Sequence, residues 1–260
     1  MARGWQDGMR SWRRINAVSV GFALLLPTGG TEAVEIKVVA TSALISIVDD
    51  LRPRFESATG HTLIVRYDFA PSLRREIESG AAFDVAILSG DIDDLIKRGA
   101  IAAGTSAVLG RTGIGVAVRK GAAKPDVSTA EAFKNALLGT ASVTFSEGPS
   151  GAYFLRLLDR LGIAEGMKPK LRPGAPGAVV EPVARGEVEM AVAGIVVILG
   201  EPGVDLAGWL PAELQAYVPF TAGVGAKAEQ SEAARSLVKF LTSPATVSLL
   251  RSKGLESVTP

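Results

Sequence analysis

Between residues 34 and 99 the chain alternates strand and helix patterns three times over, and this rhythm limits the fold more tightly than any other feature. "VEIKVVA" (34–40) is β-branched and runs into small residues, the pattern of a strand. "SALISIVDDLRPRFESATG" (42–60) carries Leu44, Ile47, Val48, Leu51 and Phe55 at helical spacing. Gly60 stops that helix, and Pro53 predicts a kink or a late turn. "HTLIVRYDF" (61–69) is a second strand, and "PSLRREIESG" (71–80) a helix opened by Pro and closed by Gly. "FDVAIL" (83–88) and "DIDDLIKRG" (91–99) complete the third pair. Such a βαβαβα order predicts an open α/β sheet, largely parallel, whose ligands sit at the carboxyl ends of strands. Those ends are "ATSA" (40–43), "DFAPS" (68–72) and "LSGD" (88–91).

The alternation continues with less regularity. "RTGIGVAVRKG" (111–121) reads as a strand, and "STAEAFKNALLG" (128–139) as a helix with Ser128 as N-cap and Glu131 completing a capping box. "SVTF" (142–145) is a strand and "SGAYFLRLLDRLG" (150–162) a helix, with Leu155, Leu158 and Leu161 expected beneath it. "PVARGEVEMAVAGIVVIL" (182–199) predicts a short helical piece and then a strongly apolar strand; "ELQAYVPFTAGVG" (213–225) predicts another strand. "SEAARSLVKFLTS" (231–243) and "PATVSLLRSKG" (244–254) close the chain as two helices.

The first 33 residues follow other rules. Arg10, Arg13 and Arg14 precede the apolar run "INAVSVGFALLL" (15–26), then Pro27, small residues and "TEA" ending at Ala33. A basic start, a short apolar run and small residues at a cleavage point read as a signal peptide spanning 1–33, hence a periplasmic protein. The run is also well short of the roughly 20 residues a membrane helix needs. Its loss removes four arginines and two acidic residues, which turns a net charge of +1 slightly negative. An anion site must therefore be local, and no basic run marks a nucleic-acid surface. With no cysteine in the chain, disulfides and thiolate metal sites are excluded.

"SEGPSGAYF" (146–154) is the most suggestive short stretch. Gly148 and Gly151 keep side chains away, Pro149 stiffens the helix entry, and the first-turn N–H groups have no partner within the helix. That pattern suits either a plain cap or an anion site, with Ser150 adding a hydroxyl.

Residues 37–101, and above all "SLRREIESGAAFDVAIL" (72–88), resemble the N-terminal lobe of type II periplasmic binding proteins, in particular the molybdate-binding proteins of ABC transporters. "LVKFLTSPATVSLLRSKGLE" (237–256) resembles that family's C-terminal helix pair. The resemblance implies an α/β fold of two lobes with a ligand in the cleft between them. One lobe would hold 34–113 and 221–260, and the other 114–220. "GIGVAVR" (113–119) and "YVPFTAG" (217–223) would be the crossing hinge strands.

It also implies a ligand set. The family's first serine falls at Ala43, beside Thr41 and Ser42; its second falls at Ala70, near Ser72. The second lobe's backbone contact falls at Ser150 and Gly151, and the family tyrosine at Gly194. Two serines and the tyrosine are thus missing, which leaves backbone N–H groups and the neighbouring hydroxyls. A hydroxyl bonded to a charged group is worth roughly 1.5–3 kcal/mol, so molybdate should bind more weakly here than in relatives that keep all three. The implied role is capture of a small oxyanion or related small anion for a membrane permease, by a monomer, with no cofactor, no metal and no nucleic acid.

Other residues have plainer readings. Arg74 and Arg75 are expected to be solvated or paired with carboxylates such as Glu78, and Tyr153 to pack. "DIDD" (91–94) suits a helix dipole better than a metal, and the single histidine, His61, has no partner that would make it a catalytic base. "GPSGA" (148–152) fails the G-x-S-x-G elbow at its last position. An enzyme on this fold, or an adaptor that hands its ligand to a sensor, are the alternatives to transport.

Overall fold

The computed structural model describes residues 32–257. The signal-peptide reading lies outside the described residues except at its last two positions. The elements in chain order are β1 (Glu35–Thr41), α1 (Ile45–Thr59), β2 (Thr62–Asp68), α2 (Ala70–Glu78), β3 (Val85–Ser89), α3 (Asp93–Lys97) and β4 (Ala107–Arg119). Then come α4 (Ala130–Gly139), β5 (Val143–Phe145), α5 (Pro149–Arg160), α6 (Ala164–Met167), β6 (Leu171–Pro173), α7 (Glu181–Ala184) and β7 (Met190–Gly194). The chain ends with α8 (Ile195–Leu199), β8 (Val204–Trp209), β9 (Tyr217–Val224), α9 (Ser231–Leu241) and α10 (Pro244–Ser252).

The strands lie in the order β2-β1-β3-β9-β4-β7-β5-β6, with β8 added on β4. Two parallel cores bracket an antiparallel middle. β1 pairs in parallel with β2 and β3, as the βαβ rhythm requires, and β5 pairs in parallel with β6 and β7. β9 is antiparallel to both β3 and β4. The long strand β4 belongs to both halves: Ala107–Gly113 pair with β9, and Ile114–Val118 pair with β7. The two-lobe α/β architecture follows from that change of partner.

Gln215 ties the passage between the lobes. Its Oε1 accepts the Ile114 N–H at 2.8 Å, and its Nε2 donates to the Ile114 carbonyl at 3.0 Å. One side-chain amide thus takes the place of a strand neighbour at the point where β4 leaves one sheet for the other. Just ahead of it, Leu210 and Leu214 sit in the core of the second half, while Phe220 sits in that of the first.

Local differences from the sequence reading have physical causes. Thr129, not Ser128, caps α4, accepting the Ala132 N–H at 3.1 Å; Ser128 sits one residue further back, in a turn where its N–H is donated to Asp126. "IVVIL" is a helix despite its β-branched residues. β7 ends at Gly194, and Thr112 Oγ1 accepts the Val196 N–H at 3.2 Å, so tertiary capping overrides propensity. β6 escaped notice because it is a three-residue segment, and β8 because "VDLAGW" carries Asp205 and Gly208, residues that strands disfavour, despite the Pro202-Gly203 turn before it. α5 starts one residue early, at Pro149, and buries Phe154, Leu157 and Leu158, leaving Leu155 exposed and Leu161 half-buried.

Candidate functional site

The carboxyl ends of the strands converge on one cleft between the two halves. Its walls come from Ser42 and Ala43 after β1, Phe69 after β2, Ser89 at the end of β3, and Val218 and Phe220 on β9. From the other half come Ser146, Gly148, Pro149 and Ser150 at the mouth of α5, Gly177 and Val179, and Ala193, Gly194, Val196 and Val197 around the start of α8. Thr112, on the hinge stretch of β4, forms the floor. The cleft holds about 560 Å³ of empty space, part of it open to solvent.

Four of the residues singled out in the sequence, Ser42, Ala43, Ser150 and Gly194, line this cleft. The other four do not. Thr41 is buried beneath it, its hydroxyl 3.5 Å from Ser89 Oγ, because strand alternation turns it inward. Ala70 is buried in the first turn of α2, and Ser72 lies further along the same turn with its N–H on the Phe69 carbonyl. Phe69 takes the place in the wall that the sequence reading assigned to those two. Gly151 faces away from the cleft: a Cβ there would lie 1.6 Å from the Ser146 carbonyl oxygen, so the glycine serves the seating of α5 on the end of β5.

Sequence reasoning missed Ser89, Thr112 and Ser146. Ser89 was marked by its place in "LSGD" at a strand end, and Ser146 by its place directly after the strand "SVTF" at the head of "SEGPSGAYF"; Thr112 carries no local signal. Thr112 is the busiest hydroxyl of the site, accepting from Val196 and donating to the Gly254 carbonyl at 3.1 Å. Ser146 Oγ accepts the Gly148 N–H at 3.3 Å and meets Ser150 Oγ at 3.1 Å. Ser150 is therefore not the cap of α5; Gly148 holds that position. Ala152 donates to the Gly148 carbonyl, and the Ser150 N–H has no protein partner among the described residues. Among the described residues, no Asp, Glu, Lys, Arg, His or Tyr lines the cleft.

Side chains set aside earlier are engaged elsewhere. Arg74 pairs with Asp94 at 2.8 Å rather than with Glu78, and holds that carboxyl below its ordinary value. Tyr153 donates to the Leu214 carbonyl at 2.9 Å, fastening α5 to the segment before β9. His61 is buried, with Nδ1 accepting the Val34 N–H at 3.4 Å. Among the described residues no three His, Cys, Asp or Glu side chains gather where a metal could be held.

A two-lobe α/β frame with strand ends, helix mouths and hydroxyls meeting in an interlobe cleft defines a solute-binding protein of the type II periplasmic class. The chain belongs to the family of bacterial extracellular solute-binding proteins, whose model matches residues 36–256. It is 29% identical over 258 residues to an aconitate isomerase from Pseudomonas sp, covering 94% of this chain and 97% of that one. It is 26% identical over 245 residues to the molybdate-binding protein ModA of Azotobacter vinelandii, covering 91% and 95%. The solved periplasmic molybdate-binding protein of Azotobacter vinelandii shares the fold with a TM-score of 0.73 at 17% identity, over 86% of this chain and 99% of that one. The chain is thus similar both to a protein named for binding and to one named for catalysis.

Proposed function

We propose that this protein captures a small anion in the interlobe cleft and delivers it to the membrane permease of an ABC importer. The observation that carries this reading is the cleft itself. Hydroxyls from both lobes and the open N–H of Ser150 at the mouth of α5 meet in a pocket that, among the described residues, has no charged side chain to neutralise a cation or run acid–base chemistry. The ligand set on this reading is Ser42, Ala43, Ser146, Ser150 and Gly194, with Ser89 and Thr112 holding the frame. The lobes divide as 34–113 with 221–260, and 114–220, and they close by bending about β4 and the segment at Gln215. The working form is a monomer in the periplasm that has lost residues 1–33.

A thermal-shift series with molybdate, tungstate, sulfate, phosphate and small carboxylates tests the reading. An anion at 100 times its dissociation constant adds about 2.7 kcal/mol, a rise of roughly 5–10 °C in Tm for a chain of this size. No shift with any anion refutes it.

The likeness to an aconitate isomerase favours a second reading, in which the bound anion is a carboxylate that is isomerised. Such a reaction needs a proton-handling group, and those adjacent in sequence to the cleft residues are Asp68, Arg111, Glu147 and Tyr217, none of which lines it. Incubation with trans-aconitate followed by proton NMR decides: appearance of the cis isomer at a rate proportional to enzyme establishes catalysis.

A further inference from the structure

Resting on the reading of the cleft as a small-anion site, we propose that its ligand is a monocarboxylate with a compact apolar body, and that the site selects against tetrahedral oxyanions. The cleft is polar at few points and apolar over most of its wall. Its polar groups are the Ser42 hydroxyl, the Ser146–Ser150 hydroxyl pair and the Ser150 N–H, with the backbone at Ala43 and Gly194. Thr112 is engaged on both sides by Val196 and Gly254, and Ser89 faces Thr41. The apolar wall is made by Phe69, Val179, Val196, Val197, Val218 and Phe220.

A tetrahedral dianion presents acceptor oxygens in every direction, so some would be pressed against valine and phenylalanine with no donor. An unpaired buried polar group is expensive, and a charged one more so. A carboxylate presents both oxygens at one end, which the hydroxyls and N–H at the mouth of α5 can serve. Its hydrocarbon end then gains from the apolar wall, about 25 cal/mol per Å² of apolar surface buried. The single charge also suits a pocket whose donors are dipoles alone.

Isothermal titration of the purified chain with isobutyrate, benzoate, benzamide, molybdate and sulfate tests this. Benzoate or isobutyrate is expected to bind at least tenfold tighter than either oxyanion. Val197→Thr, which places a hydroxyl in the apolar wall, is expected to weaken benzoate about tenfold while leaving sulfate unchanged or tighter. Molybdate or sulfate binding as tightly as the carboxylates overturns this inference and leaves the small-anion reading standing. Benzamide binding as well as benzoate, or no binding by any anion, overturns the small-anion reading itself, and this inference with it.

Discussion

Replacing Gly151 by alanine puts the seating of α5 to a direct test. The added Cβ would lie 1.6 Å from the Ser146 carbonyl oxygen and 3.2 Å from a ring carbon of Phe145. Ordinary contact needs roughly 3.5 Å, so the helix mouth and the end of β5 must part by about 2 Å. The obstacle is backbone, which cannot swing aside as a side chain can. Overpacking of this kind costs about 1–3 kcal/mol, and a rigid obstacle belongs at the upper end. Alanine's better helix propensity returns up to about 1 kcal/mol. The clash wins by about 2 kcal/mol, which lowers Tm by roughly 4–8 °C for a chain of this size. Calorimetric melts of Gly151→Ala beside Ser150→Ala measure it; the latter loses only the hydroxyl contact with Ser146 and should stay within about 1 kcal/mol of wild type. Anion affinity should fall in Gly151→Ala as well, because the shift carries Ser150 with it. A Gly151→Ala protein that melts at or above the wild-type temperature would refute the reasoning.

Three further outcomes are expected. Phe69→Ala removes a ring that packs into the second half's apolar cluster with Val179, Val183 and Ile198, so it should cost about 3–5 kcal/mol and open the cleft, seen as a larger radius of gyration in solution scattering; an unchanged radius counts against it. Gln215→Ala strips Ile114 of its substitute strand partner, costing about 1–3 kcal/mol and speeding hydrogen exchange at the Ile114 amide, and an exchange rate equal to wild type contradicts the clamp. Glu56 accepts the Leu63 N–H at 2.8 Å and also faces Arg52, and against the opposing effect of burial these hold its carboxyl below the ordinary value. Stability from a depressed carboxylate is present above its unfolded pKa of about 4.3 and is lost as pH falls through the folded value. Glu56→Gln should therefore be less stable at neutral pH and flatten the fall of Tm below about pH 4.5; parallel curves for the two proteins dispose of this.

What the sequence revealed follows the range of the forces involved. α1, α2, α9 and α10 were legible because their buried residues repeat at helical spacing and Gly or Pro punctuates them. The placement of β9 between β3 and β4 was not, since nothing local to Tyr217–Val224 says that its neighbours lie more than a hundred residues back. The cleft divides the same way. Ser42, Ala43 and Ser150 stand at strand ends or a helix mouth and could be named, whereas Val197, Val218 and Phe220 look like ordinary core until the lobes are assembled. Gly151 shows the converse: a glycine beside a helix mouth looks the same in sequence whether it admits a ligand or a neighbouring carbonyl.

The central position of β9 governs the order in which the molecule can be made. β3, buried on all five of its residues, has one edge against β1 and the other against β9, and β9 begins only at residue 217. A chain emerging from the ribosome therefore carries β1, β2 and β3 for more than a hundred residues with that edge unsatisfied. The first half of the molecule, although contiguous in its βαβ beginnings, cannot close before the second half has been synthesised. Contacts of such long sequence separation slow folding, and an open apolar edge invites a chaperone or a second chain. The late-arriving strand makes the whole protein a single folding transaction: a fragment ending before Tyr217 should remain open to proteases however well its early helices form.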